Sequence, residues 1–139
     1  KEIPGFIVNR VQVAMLREAF HLIEKGVATA DDIDIAMKGS MGFKWAFCGP
    51  MESQDLAGLQ TPKAMVSNIM EDLSNTREVP SFLTEMVEND QHGIRTNQGF
   101  YKYDDHGEKA IHTRDNHFLD LLKLQNRKVN KVQTISSSK

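Results

Sequence analysis

"IPGFIVNRVQVAMLREAF", residues 3–20, is the stretch that decides the fold. Pro4 and Gly5 interrupt regular structure, and a helix can start within the next few residues. At roughly 100° per residue, Arg10, Arg17, Glu18, His21, Glu24 and Lys25 fall on one arc. Val11, Val13, Met15, Leu16, Ala19, Phe20, Leu22 and Ile23 fill an apolar arc of roughly 200°, about twice what a surface helix needs. The helix is therefore predicted to pack on two sides, and Gly26 is predicted to cap its C-terminus. Asn9 stands on the apolar side, among Val13, Leu16 and Phe20. An amide there either caps its own helix or needs a partner, since an unpaired one at an apolar interface costs about 1–3 kcal/mol.

Working outward, Thr29 is a predicted N-cap, with Asp31 and Asp32 well placed near the positive end of the next helix. Ile33, Ala36 and Met37 give that helix its inner stripe, and Gly39, Ser40 and Gly42 are predicted to end it. "MGFKWAFCGP", residues 41–50, reads as a loop rich in large apolar groups. Pro50 starts another turn or two through Leu56. Thr61 and Pro62 form a cap and first-position pair opening a helix to about Leu73. Residues 74–80, "SNTREVP", read as a linker, and Ser81 starts a helix over Phe82 to Glu88. "GIRTNQGFYKYDDHGEKA" breaks the helical period, and its Phe100–Tyr103 segment suggests a short extended piece. A last helix is predicted from Thr113 or Asp115 to Lys128, with 129–139 a polar, frayed tail. The expectation is an all-α, compact multi-helix domain over residues 1–128, with a long two-faced first helix.

The chain's 139 residues suit one domain. Hydrophobic residues at 40% and charged residues at 26% are ordinary for a soluble protein. A net charge of −2 gives no general pull toward nucleic acid or an anionic membrane. No apolar run approaches the ~20 residues of a membrane span. The single cysteine, Cys48, cannot form an internal disulfide, which suits a reducing cytoplasm.

His21, His92, His106, His112 and His117 show no metal-ligand spacing, so no metal site is expected. Asp31, Asp32 and Asp34 lack the pattern of a calcium loop. No Gly-x-Gly-x-x-Gly fingerprint, phosphate loop or nucleophile elbow is present. Arg10, on the polar arc, reads as a surface ion-pair residue. Phe43, Trp45 and Phe47 suit either a core or a pocket lining. Residue by residue, the chain lacks a self-sufficient active site, so it reads as a binding or assembly module or as part of an enzyme.

Taken together, "KEIPGFIVNR", "EAFHLIEKGVATADDIDIAM", "MGFKWAFCGPMESQDLAGL" and "GIRTNQGFYKY" resemble the C-terminal domain of the L-3-hydroxyacyl-CoA dehydrogenase family. They stand in family order over residues 1 to about 103. The resemblance implies the C-terminal dimerisation domain of a 6-phosphogluconate-dehydrogenase-like enzyme of fatty acid metabolism. It further implies an N-terminal Rossmann domain, as partner in the same chain, that binds NAD and carries the catalytic His–Glu pair. That enzyme would oxidise a 3-hydroxyl to a ketone, as a homodimer acting on a small-molecule substrate. On this reading the chain is a fragment, inactive alone. The Asn of the family's Pro-Gly-Phe-x-x-Asn-Arg motif lies in the catalytic cleft and corresponds to Asn9.

The departures bear on substrate. Glu2 stands where the family often has Asp, Arg95 replaces Lys, and Asn97 replaces a common Gly at a left-handed turn that Asn can also adopt. "GFKWAFCGP" is more similar to relatives acting on free hydroxy acids, such as gulonate or carnitine dehydrogenases. Lys44 and Trp45 are then candidate substrate-binding residues, with the Lys44 ammonium available to a free carboxylate. A non-catalytic helical assembly module is the third reading. It predicts that Asn9 is a simple cap and that the Phe43–Phe47 segment is packed shut.

Overall fold

The computed structural model describes residues 2–136, with side chains through Asn126. Helices account for its regular structure: α1 (Phe6–Glu24), α2 (Ala30–Met37), a π-helical turn (Lys38–Gly42), α3 (Phe43–Trp45), α4 (Pro50–Ala57), α5 (Gln60–Ile69), α6 (Ser81–Glu88) and α7 (Glu108–Ser136). No strand occurs among the described residues; of the extended piece expected over Phe100–Tyr103 only Lys102 takes part in a bridge, with Gln98, which also pairs with Gly93. The all-α expectation holds.

α1 ends as predicted, and the bonding shows why. The Gly26 N–H donates to Ile23 (2.9 Å) and the Val27 N–H to Leu22 (3.0 Å), closing the last carbonyls in a Schellman motif. That closure places Gly26 at φ 66°, a conformation cheap only without a Cβ. Thr29 caps α2 through a full capping box: the Asp32 N–H donates to Thr29 Oγ1 (3.2 Å), and the Thr29 N–H donates to Asp32 Oδ2 (3.0 Å).

Several boundaries differ from expectation. The 41–50 segment is helical at first, because α2 runs straight into the π turn and α3. Gly39, Ser40 and Gly42 do not end it: Ser40 Oγ donates back to the Ala36 carbonyl at 2.6 Å, and the backbone absorbs them by widening to i→i+5 bonding. α5 begins at Gln60 with Leu59 as its N-cap residue and ends at Ile69, short of Leu73, and the Thr61 hydroxyl donates to the Ala57 carbonyl at 3.3 Å. α7 starts earlier than predicted, at Glu108, and passes Lys128 to reach Ser136, so residues 129–136 are helical rather than frayed. Residues 137–139 of the expected tail lie outside the described residues.

The chain divides into two units, residues 1–85 and 86–139. In the first, the helices in closest contact are neighbours in sequence: α2 with the π turn, the π turn with α3, α3 with α4, and α4 with α5. A long-range tie joins α1 to the far end of the unit, where the Ser74 N–H donates to Glu18 Oε2 at 2.8 Å. Phe20 meets Phe82 nearby, ring against ring.

In the second unit, residues 92–107 fold onto themselves. The Gly93 N–H donates to Gln98 (2.8 Å) and the Tyr103 N–H to Asn97 (2.9 Å). Asn97 takes the left-handed conformation, φ 59°, and its Oδ1 accepts from the His106 N–H at 2.7 Å. Its side chain thereby supplies an acceptor that a glycine at this turn would lack.

No hydrophobic side chain among the described residues is fully buried. Phe6, Ile7 and Val8 at the start of α1 are 72%, 81% and 74% exposed. Among the described residues, the start of α1 therefore presents an apolar surface that is left largely exposed.

Candidate functional site

A groove of about 620 Å³ runs along α1 within the first unit. Asn9, Val13, Leu16 and Phe20 line one side, the same four residues that the helical period groups together. The other side is made by Thr76 to Pro80 and by Leu83 near the start of α6. Three guanidinium-bearing residues, Arg10, Arg17 and Arg77, also line it, against one carboxylate, Glu78. The groove thus combines an apolar floor with a mainly cationic rim, a lining that suits an anionic ligand with an apolar part.

Asn9 lies one turn into α1, whose N-cap is Gly5, and its amide does not cap the helix. It is exposed, and among the described residues its side chain has no hydrogen-bond partner. An amide so placed has its donor and acceptor capacity intact for a ligand. Arg10 is not an ion-pair residue among the described ones. Its Nη1 donates to the Pro4 carbonyl at 3.4 Å, bracing the turn that leads into α1.

Lys44 and Trp45 stand on α3 and are not part of the groove lining. Lys44 forms no ion pair among the described residues. Phe43 is 74% exposed and Trp45 36%, so this segment is not packed shut. Both expectations of the assembly-module reading, Asn9 as a cap and a closed 43–47 segment, therefore fail. Among the described residues, no group of three or more His, Cys, Asp or Glu side chains is placed to hold a metal ion. No helix there is long and apolar enough to cross a membrane.

Sequence reasoning missed the role of the 74–80 linker. Its composition marks only a connection, because no local spacing shows that Arg77 and Glu78 face α1, some sixty residues away in sequence. It also missed Glu18, assigned to a solvated arc yet half-buried and bonded to Ser74.

Among the described residues, fold and groove define a helical domain whose leading helix presents an unpaired amide along an open, cation-rimmed cleft. The chain belongs to the family of the 3-hydroxyacyl-CoA dehydrogenase C-terminal domain, whose model matches residues 5–103. It is 38% identical over 111 residues to 5-formyl-3-hydroxy-2-methylpyridine 4-carboxylate 5-dehydrogenase of Mesorhizobium japonicum, covering 80% of this chain and 36% of that protein. To the mitochondrial hydroxyacyl-coenzyme A dehydrogenase of Homo sapiens it is 44% identical over 105 residues, 74% of this chain and 32% of the relative. An L-carnitine dehydrogenase of Nocardiopsis dassonvillei matches at 50% over 58 residues, 42% of this chain and 18% of that enzyme. A crystal structure of the pyridine-carboxylic acid 5-dehydrogenase, described as an NAD+-dependent dismutase, superposes with a TM-score of 0.80 at 34% identity, covering 90% of this chain and 40% of that one. The chain spans about a third of the length of the two longer-matching relatives. The matched family model is that of a C-terminal domain, and the relatives named here are dehydrogenases.

Proposed function

We propose that this chain acts as the substrate and dimerisation domain, residues 1–128 followed by a polar segment 129–139, of an NAD-dependent dehydrogenase of short 3-hydroxyacyl-CoA esters. The observation that carries the reading is Asn9: an amide without a partner among the described residues, one turn into α1, lining an apolar groove. Its hydrogen bond would orient the reacting groups and stabilise charge near the substrate's carbonyl oxygen. The chain's own residues do not fit NAD, because none of its nine glycines forms the dinucleotide fingerprint. NAD is then held by an N-terminal Rossmann domain, which also supplies the proton-accepting His.

The test is Asn9→Ala in the whole enzyme. Turnover falls roughly 100-fold, about 2.7 kcal/mol of transition-state stabilisation, while the melting temperature stays put. Unchanged activity with a lower melting temperature would make Asn9 a structural residue and end this reading. The chain alone is expected to reduce no NAD and to show no binding in a calorimetric titration with NAD.

A second reading, a free 3-hydroxy acid as substrate, draws on Lys44. Its ammonium has no carboxylate partner among the described residues and stands between two exposed aromatic residues, Phe43 and Trp45. The names of two relatives, a pyridine carboxylate and a carnitine dehydrogenase, point to substrates that are not CoA esters.

The exposed stripe of Phe6, Ile7, Val8 and Val11 supports both the N-terminal partner and a two-fold homodimer, since each needs an apolar face to cover. Sedimentation showing a monomer at micromolar concentrations would reject the dimer. Cytoplasmic placement rests on the lone, half-buried Cys48.

A further inference from the structure

Residues 75–80 form a strap beside α1 whose flanking residues, Ser74 and Phe82, are both held on that helix. At one end the Ser74 N–H donates to Glu18 Oε2 at 2.8 Å. At the other, Phe82 is held edge to face on Phe20, two residues further along α1. Between these pins the strap is stiffened by its own hydroxyls: the Thr76 N–H points at Ser74 Oγ (3.5 Å) and the Glu78 N–H at Thr76 Oγ1 (3.3 Å). Thr76, Arg77, Glu78, Val79 and Pro80 then form the wall of the groove that Asn9 shares.

The aromatic pin is soft in direction, because an edge-to-face contact tolerates sliding. The carboxylate pin is short and directional, an acceptor oxygen held at 2.8 Å from the Ser74 nitrogen. We propose that Glu18 is a positioning residue for substrate: by holding Ser74 it fixes where the 75–80 wall stands, and so sets the width of the groove beside Asn9. The proposal rests on the reading of this groove as the substrate site. Glu18 does not line the groove and touches no reacting atom. Its effect is on binding rather than on the chemical step.

The experiment uses the whole enzyme with its preferred 3-hydroxy substrate and three variants. Glu18→Ala removes the acceptor, Glu18→Asp withdraws it by one methylene, and Glu18→Gln keeps an oxygen acceptor at full reach. Glu18→Ala and Glu18→Asp raise KM about tenfold with kcat within about twofold, a pattern of lost uniform binding. Glu18→Gln restores KM to near the parent value. Hydrogen exchange at the Ser74 amide speeds up in Ala and Asp but not in Gln. If Ala does not fold, Asp and Gln carry the comparison. Unchanged KM in Asp despite faster Ser74 exchange overturns the proposal, as does a fall in kcat equal to the rise in KM. Failure of Gln to rescue does the same. A parent enzyme without turnover on any 3-hydroxy substrate is a different result, and it removes the dehydrogenase reading itself.

Discussion

The Phe20 ring meets the Phe82 ring edge to face, with centroids 5.7 Å apart and planes at 79°. The two residues lie 62 positions apart, and their contact brings α6 back to the helix that opens the chain. Both are half-buried, so the pair adds about 1 kcal/mol beyond the area it covers. Phe82→Leu keeps most of the apolar volume while removing the quadrupole contact. We expect it to lower unfolding free energy by roughly 1 kcal/mol in a urea titration. A midpoint equal to the parent's would mean the contact contributes nothing.

Gly99→Ala should destabilise the second unit. A Cβ at Gly99 would sit 2.8 Å from Gly93 Cα and 3.0 Å from its nitrogen, both backbone atoms that cannot swing aside. The adjoining Gly93 N–H to Gln98 bond of 2.8 Å would have to lengthen. A loss of about 1–3 kcal/mol is expected, read by thermal unfolding and by faster exchange of the Gly93 amide. Alanine tolerated without a change in either would show that the close approach is dispensable.

Asp32 gives a pH signature. Hydrogen bonds from the Thr29 hydroxyl first, and then from the Thr29 backbone, hold its carboxyl below the ordinary value of 3.8. A group whose folded pKa is lowered contributes stability above its unfolded value and loses it as pH falls through the folded one. Asp32→Asn should therefore flatten the acid side of the stability curve, below about pH 4. Thr29→Val should bring the Asp32 carboxyl back toward 3.8 in an NMR titration. No movement in that titration would show that the capping box does not govern the charge.

Lys44→Met separates the two substrate classes. If the Lys44 ammonium reads a free carboxylate, the change raises KM for a free 3-hydroxy acid by roughly tenfold. It hardly affects a hydroxyacyl-CoA, whose charges lie at the distant nucleotide end. Equal effects on both substrates, or robust activity with the CoA ester only, would sink the free-acid reading.

Most helices were legible because their signals are local. Thr29 with Asp32 reads as a capping box, Pro50 as a first helical residue, and Gly26 as a stop, since each uses bonds within a few residues. The misreadings came where local punctuation was overridden. Gly39 and Gly42 look like helix terminators, yet the backbone passes through them by widening into a π turn. The start of α7 was missed because its early residues, including His112 and Arg114, carry no strong apolar period.

Asn9 shows where the division falls. Sequence alone determined that Asn9 shares a face with Val13, Leu16 and Phe20, because helical spacing is a property of the backbone. The motifs around it also placed the chain in its family. Only the tertiary structure decided that this face becomes a groove, that the 75–80 linker is its other wall, and that Glu18 holds Ser74 rather than facing solvent. Contacts between residues more than fifty positions apart leave no local period in the chain. They depend on how loops close in space, which pattern along one helix cannot encode.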